Sequence, residues 1–312
     1  MKGCFLGIDT SNYTTSLAAV EDGKLLFNLK APLPVKAGEC GLRQSDALFA
    51  HTKNLPELFE RARTLLRGRT VSAVGVSEKP RNAEGSYMPC FLAGVSAAEG
   101  IASVSDVPLY RFSHQCGHLR AALFSAGRDE LISSPFGAFH ISGGTTEMLL
   151  VTPDKNGFKT EIVGGTKDLN AGQLVDRIGV ALGLAFPAGP ALEALASSYE
   201  GKPPRKGVKT EDGYIHLSGV ENQARKLLET DGDPAKTAAF VLDHLARAVV
   251  AMSLDFRKKH DLPLLYAGGV MSNAYIRAVV EKSIKDASFA EPALSADNAV
   301  GIALLAAEAH QK

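Results

Sequence analysis

His114 and His118 stand four residues apart in a segment of helical character, so both imidazoles project from one helix face. That is how a helix offers two nitrogen donors to one metal ion, although surface or capping histidines share the same spacing. Cys116 falls on the opposite face and reads as a packed thiol. Residue 115 is Gln, which cannot act as a general base, so the segment is not the HExxH motif of a zinc protease. Gly143-Gly144 and Gly268-Gly269 each follow an apolar run, and the second pair leads into a helix whose first N–H groups suit phosphate or another anion. Glycines that only make tight turns are the plainer alternative. Asp176, on a helix after Gly164-Gly165-Thr166, could accept hydrogen bonds from a ribose or be a solvated helix charge. Asp297-Asn298 precede the last apolar helix, where an Asp reads as an N-cap. His51 and His140 read as satisfied core or capping residues. The arginines at 61, 63, 67 and 69, and the basic runs at 202–209 and 257–259, read as solvated faces, with RNA contact as the alternative.

These residues need a frame to hold them. Residues 3–9 are apolar and end at Thr10-Ser11-Asn12, and residues 17–20 and 25–29 flank the turn Glu21-Asp22-Gly23-Lys24. The same strand, turn and hairpin recur at 136–141, Ser142-Gly143-Gly144, 147–152 and 158–163, around Asp154-Lys155-Asn156-Gly157. Two such units predict an internal duplication. Between and after them, helices are expected at 55–66, 91–102, 114–124, 171–184, 235–256, 273–285 and 299–309. Strands are expected at 71–76, 107–112 and 262–267, and residues 201–213 read as a loop. Alternating strands and helices predict an α/β fold.

The chain of 312 residues is long enough for two domains or one large one, and its 45% apolar content excludes a disordered chain. Its 34 basic and 34 acidic side chains cancel, so nucleic acid would have to be drawn by a local patch. The apolar run at 4–8 is too short for a secretion signal, and no run is expected to reach the roughly 18–20 residues of a membrane span. Four cysteines (Cys4, Cys40, Cys90, Cys116) without a CxxC pair point to reduced thiols and a cytoplasmic location.

Taken in order, the motifs resemble the TsaD family, the tRNA threonylcarbamoyladenosine synthases once labelled glycoproteases. The resemblance runs from Gly7-Ile8-Asp9-Thr10-Ser11 through His114-Gln115-Cys116-Gly117-His118-Leu119 and Ser142-Gly143-Gly144 to Asp297-Asn298. It includes Thr166-Lys167-Asp168, Asp176-Arg177, Gly189-Pro190 and Gly268-Gly269-Val270. It implies an actin-like ATPase (sugar kinase/actin-type) fold, two lobes with a duplicated strand-hairpin core around a cleft. The expected lobes are 1–112 with 291–312, and 113–290. It implies that His114, His118 and Asp297 bind one divalent metal, iron or zinc. ATP or an acyl-adenylate would then lie near His140, Ile141, Ser142, Gly143, Gly144, Asp176, Gly189, Glu193, Gly268, Gly269 and Asn273. It further implies acyl transfer to a tRNA adenosine, and a TsaB-like or homodimeric protein partner without membrane contact.

The departures are specific. The family's first strand leads into Cys-Asp-Glu-Thr, where this chain has Asn12-Tyr13-Thr14-Thr15, so both carboxylates are missing. Thr145 stands where a His is expected, and a longer segment at 80–89 replaces a Gly-Pro-Gly turn. Asp168-Leu169 stands where a double Asp is expected. Asp9 is the nearest remaining carboxylate and the candidate acid/base. Two readings follow, a weakened acyltransferase or a catalytically silent nucleotide-binding partner subunit.

Overall fold

The computed structural model describes residues 3–11, 13–34, 42–155 and 157–311. Asn12, Cys40 and Asn156, which enter the readings above, lie outside them. The chain forms two compact units, Met1–Ile132 with Pro153–Lys159 and Ala296–Lys312, and Ser133–Thr152 with Thr160–Ser295. The first unit takes in residues 113–132, which the boundary expected at 112 assigns to the other lobe.

The first unit opens with β1 (Cys4–Ser11), β2 (Thr14–Glu21) and β3 (Lys24–Pro32). Asp22 and Gly23 both take positive φ, 49° and 78°, which a two-residue hairpin loop needs to match the strand twist. The turn therefore forms where the sequence puts it. α1 (Gln44–Leu65) buries Ala47, His51, Leu55, Leu58 and Ala62 along one face. It starts well before the apolar spacing at Leu55, because the first members of its stripe are a small residue and a polar one. β4 (Val71–Lys79), α2 (Phe91–Ser105), β5 (Leu109–Ser113) and α3 (His114–Ser125) follow. The sheet order is β3-β2-β1-β4-β5, with β1 antiparallel to β2 and parallel to β4.

The second unit repeats the plan with β6 (Phe136–Ile141), β7 (Thr146–Asp154) and β8 (Gly157–Thr166). After them come α4 (Ala171–Ala181), α5 (Gly189–Ser197), β9 (Tyr214–Ile215), α6 (Ser218–Asp231) and α7 (Pro234–Lys259). Then come β10 (Leu264–Ala267), α8 (Ala274–Ser283), β11 (Ala287–Phe289) and α9 (Pro292–Ser295). The order is β11-β10-β6-β7-β8-β9, with β10 parallel to β6 and β11. Each sheet thus carries a hairpin on one side of its first strand and two parallel strands on the other. That shared topology is the duplication read from the two hairpins. α10 (Val300–His310) returns to the first unit.

One expectation needs correction. α7 is long and apolar enough to cross a membrane by length and composition, but most of it is buried in the core of the second unit. α5 lies outside the helices expected from the sequence. α6 buries little more than Val220 and Ala224, so its stripe is too thin to read.

Candidate functional site

α3 begins at His114 because Ser113 ends β5 and its hydroxyl accepts the Cys116 N–H at 3.3 Å. This start sets His114 and His118 one turn apart on the same face. α10 packs against β1, β4 and α3 at close range. A Cβ on Gly301 would overlap the Gly117 carbonyl, and one on Gly7 would overlap the Ala299 carbonyl. Glycine at these positions lets α10 approach, and Asp297, just before α10, comes to the histidines.

His118 Nε2 lies 2.9 Å from His114 Nε2 and 3.3 Å from Asp297 Oδ1, and His114 Nε2 lies 3.6 Å from that oxygen. Asp297 is not the helix cap the sequence suggested. Asn298 Oδ1 instead accepts the Val300 N–H at 3.0 Å, which leaves the Asp297 carboxylate for the histidines. Three atoms at these separations share a point roughly 2 Å from each, the length of a metal–imidazole or metal–carboxylate bond. The donor set therefore fits a divalent ion. Among the described residues it is the one group of at least three His, Cys, Asp or Glu with converging ligand atoms.

Asp9 stands behind the set, fully buried near the end of β1. Its Oδ2 is 2.7 Å from His114 Nδ1, and its Oδ1 accepts the Ser11 N–H at 2.9 Å. With Nδ1 donating to Asp9, His114 turns the Nε2 lone pair toward Asp297 and His118. Burial opposes an imidazolium here, but the charges of Asp9 and Asp297 outweigh it and hold the His114 pKa up at about 9. Burial likewise opposes charge on Asp9 and Asp297; His114 outweighs it at Asp9, and His118, His114 and Lys30 together outweigh it at Asp297, keeping each carboxyl below its ordinary range. Sequence alone pointed to Asp9 as a candidate acid/base without locating it; it is closed to solvent and committed to His114. Cys116 packs away from the set, with Sγ 3.3 Å from the Phe158 carbonyl oxygen. His51 is buried in the core as expected and pairs through Nδ1 with Thr15 Oγ1 at 2.9 Å, while its Nε2 has no hydrogen-bond partner among the described residues.

The second unit holds a cavity of about 560 Å³ lined by Gly143, Asp176, Gly189, Glu193, Gly269 and Asn273 among others. Those six sequence candidates are brought together. His140, Ile141, Ser142, Gly144 and Gly268 are not part of its lining. The glycine loop after β6 is fastened to α4. Asn170 Nδ2 donates to the Gly144 carbonyl at 3.0 Å, Thr146 Oγ1 accepts the Ala171 N–H at 2.8 Å, and a Cβ on Gly172 would overlap Gly143. Asp176 accepts the Ala188 N–H at 2.8 Å, Glu193 the Ala274 N–H at 2.6 Å, and Asn273 the Ile276 N–H at 3.0 Å. Each acidic or amide side chain so fixes the backbone of the cavity wall. Apart from Ser272 the remaining wall is apolar, with Val175, Phe186, Val270 and Ile276, and suits a flat ring. Sequence reading missed these four because apolar lining and apolar core look alike in a sequence; only Phe186, 74% exposed, departs from core behaviour.

Residues 40–304 match the family described as TsaD: tRNA N6-adenosine threonylcarbamoyltransferase. The chain is 32% identical to the tRNA N6-adenosine threonylcarbamoyltransferase of Thermus thermophilus, across 98% of this chain and 93% of the relative. It is 30% identical to that of Syntrophomonas wolfei, across 99% and 92%. Among solved structures it is similar to component A of the (R)-2-hydroxyglutaryl-CoA dehydratase of Acidaminococcus fermentans, with a TM-score of 0.57, 14% identity and 99% of both chains covered. A ROK family glucokinase from Streptomyces griseus matches with a TM-score of 0.54 and 15% identity, over 98% of this chain and all of that one. At such identities these structures speak for the fold alone, which is the actin-like ATPase fold.

Proposed function

The chain belongs to the TsaD family of tRNA N6-adenosine threonylcarbamoyltransferases, and from that premise we propose that it is an acyltransferase with a metal centre in its first unit and an adenine-nucleotide site in its second. The acyl acceptor in this reading is the exocyclic amine of a tRNA adenosine. The observation that carries it is the convergence of His114, His118 and Asp297 with Asp9 behind them. Iron or zinc suits imidazole and carboxylate donors. Such an ion supplies Lewis-acid polarisation of a carbonyl or phosphoryl oxygen.

The chain's own residues do the rest. Asp9 fixes the orientation of His114, and three protein ligands leave coordination positions for substrate. In the cavity, Gly143 and Gly269 let phosphate oxygens approach the backbone, Asp176, Glu193 and Asn273 meet ribose hydroxyls, and Phe186 and Val175 flank the base. Ser142 and Gly144 set the conformation of the loop that presents Gly143. In the transfer, the amine nitrogen bonds to the carbamoyl carbon, the bond from that carbon to the phosphate oxygen breaks, AMP leaves with the electron pair, and the proton that the amine loses passes to the departing phosphate or to water. Buried free thiols at Cys4, Cys90 and Cys116 accord with a reducing cytoplasm.

A second reading, a silent nucleotide-binding partner subunit, is favoured by Tyr13 and Thr14, which bring no carboxylate to the site. Elemental analysis of the wild type and of H114A, H118A and D297A tests the centre, with most metal expected to be lost from each variant. Transfer from threonylcarbamoyl-adenylate to unmodified tRNA, measured beside the Thermus thermophilus relative, tests the chemistry. The expected rate is about 10²–10⁴-fold lower, the usual worth of positioned acid/base groups. Full metal occupancy in all three variants would refute the centre. Intact metal and nucleotide binding with no transfer would select the silent subunit.

A further inference from the structure

Three basic clusters stand out in the sequence, and the structure separates them. Of the arginines at 61–69, Arg63 pairs with Glu60 and Arg69 with Glu21. In the run at 257–259, Lys258 pairs with Asp255 and Lys259 with Asp212. In the run at 202–209, the three lysines have no acidic partner among the described residues. Arg205 reaches only Asp243, at 3.7 Å, with 71% of its side chain exposed. Asp243 is almost fully buried on α7, and Arg247 Nε already donates to it at 2.7 Å. One carboxylate thus faces two guanidinium groups, and the cluster keeps a positive excess. His244 feels the same field: burial, Arg247 and Lys206 push its pKa down to about 4 against the pull of Asp243.

The loop that carries these cations is pinned. Pro203-Pro204 restrict its backbone, and Arg247 Nη1 donates to the Lys206 carbonyl at 2.8 Å. Tyr275, in the first turn of α8, donates its hydroxyl to Asp243 Oδ1 at 3.0 Å and stays 39% exposed. Asn273 and Ile276 on either side of it, and Leu242 next to Asp243, line the cavity of about 560 Å³. The cluster therefore borders that cavity. Fixed cations beside a part-exposed ring suit a single RNA strand, whose phosphates meet the cations while an unpaired base stacks on the ring.

We propose that Arg205, Lys206, Lys209 and Tyr275 form an RNA-docking surface beside the cavity of the second unit, with the three cations on the phosphates of a single-stranded stretch and Tyr275 under one of its bases. Asp243 and Arg247 act as positioning residues, holding Tyr275 and the loop in place from below. This rests on the tRNA-acceptor reading above and adds to it the surface that grips the strand.

The test uses the full chain as wild type, R205A, K209A, Y275A, Y275F and K24M, the last an exposed lysine of the first unit as a charge control. Thermal midpoints first establish that each variant folds. Fluorescence anisotropy then follows binding of unmodified tRNA and of a single-stranded RNA oligonucleotide between about 50 and 200 mM salt. R205A and K209A are each expected to weaken binding several-fold at low salt. Each should also reduce the slope of log affinity against log salt by about 0.7, the worth of one phosphate contact on a single strand. Y275A should weaken binding by about 5–100-fold with the slope unchanged, whereas Y275F keeps the ring and most of the affinity. K24M should match wild type. Wild-type affinity and slope in R205A, K209A and Y275A would overturn the proposal and leave the transferase reading standing. Equal losses in K24M and R205A would overturn it as an effect of overall charge, and equal losses in Y275F and Y275A would refute the stacking role of Tyr275. Binding of the oligonucleotide but not of tRNA, with the same dependence on Arg205, would support the surface and refute the acceptor reading. No binding of either RNA would overturn both.

Discussion

Replacing Asp9 with Asn separates two opposite effects of one carboxylate. Asn keeps the volume and can still accept the Ser11 N–H, but it removes the charge 2.7 Å from His114 Nδ1. Changing an outer partner of a metal-ligating histidine lowers metal affinity by about 10–100-fold. The same charge also holds a proton on His114, whose pKa stands at about 9 against an ordinary 6.5. At pH 7 that proton competes with metal and lowers the wild-type apparent affinity by roughly a hundredfold. D9N loses most of this competition, so near neutrality the two effects nearly cancel. At pH 9.5 the proton is gone from both proteins, and only the loss remains. Asp9 stays ionised throughout, since its own pKa is lowered by His114 despite burial. Zinc competition against a chromophoric chelator from pH 6.5 to 9.5 should show wild-type affinity rising until about pH 9, whereas D9N levels off nearer an ordinary histidine pKa. The defect of D9N should therefore grow with pH. Parallel pH profiles, or equal affinities at pH 9.5, would refute the assignment of Asp9 as the orienting partner.

Four further outcomes follow from the packing and the hydrogen bonds. G301A forces a methyl group onto the Gly117 carbonyl, so it should destabilise the protein by about 1–3 kcal/mol and lower its metal content. G100A, with nothing near its Cβ in the exposed face of α2, should stabilise by about 0.5–1 kcal/mol in the same denaturant titration. D176A leaves the buried Ala188 N–H without its acceptor, so calorimetry with ATP should show weakened binding. Asp168 caps the start of α6, accepting the Leu217 N–H at 2.8 Å and the Ser218 hydroxyl at 2.6 Å. Its pKa is lowered by these bonds against the opposing effect of burial. D168A should therefore cost about 1–2 kcal/mol at pH 7, and the wild-type advantage should fade as pH falls below about 4.

The repeated hairpins were legible because a two-residue loop needs positive φ, and Asp22-Gly23 states that need in its residue types. His114 and His118 were legible because helical spacing fixes which side chains share a face. Asp297 was legible as a third ligand through the family resemblance and not from spacing, since an acid before a helix has a sufficient local explanation as a cap; the packing of Gly301 on Gly117 is what brings it to the histidines. Asp9 was visible as a residue but not as a partner of His114, because a strand and a helix more than a hundred residues apart carry no shared spacing. The expected lobe boundary ahead of α3 came with the family resemblance, which does not say on which sheet a helix will lie.

The energetics of the donor set bear on what it is for. Two imidazole nitrogens facing each other at 2.9 Å cannot both present lone pairs without a cation between them. A proton can fill that role, and the raised pKa of His114 shows that the two carboxylates favour one. A proton, however, needs only one such carboxylate and a roughly linear pair of atoms. The geometry here is triangular, with Asp297 Oδ1 3.3 Å and 3.6 Å from the same two nitrogens. A second carboxylate also holds the opposite side of His114. Burying Asp9 completely is costly unless its charge is matched; one shared proton matches a single acid, and Lys30 lends charge to Asp297 alone. A divalent ion matches both. The fold does not need this arrangement for stability, since apolar residues of similar volume would pack β1, α3 and α10 at lower cost. In the reading proposed above, the site is a cation seat that the fold tolerates.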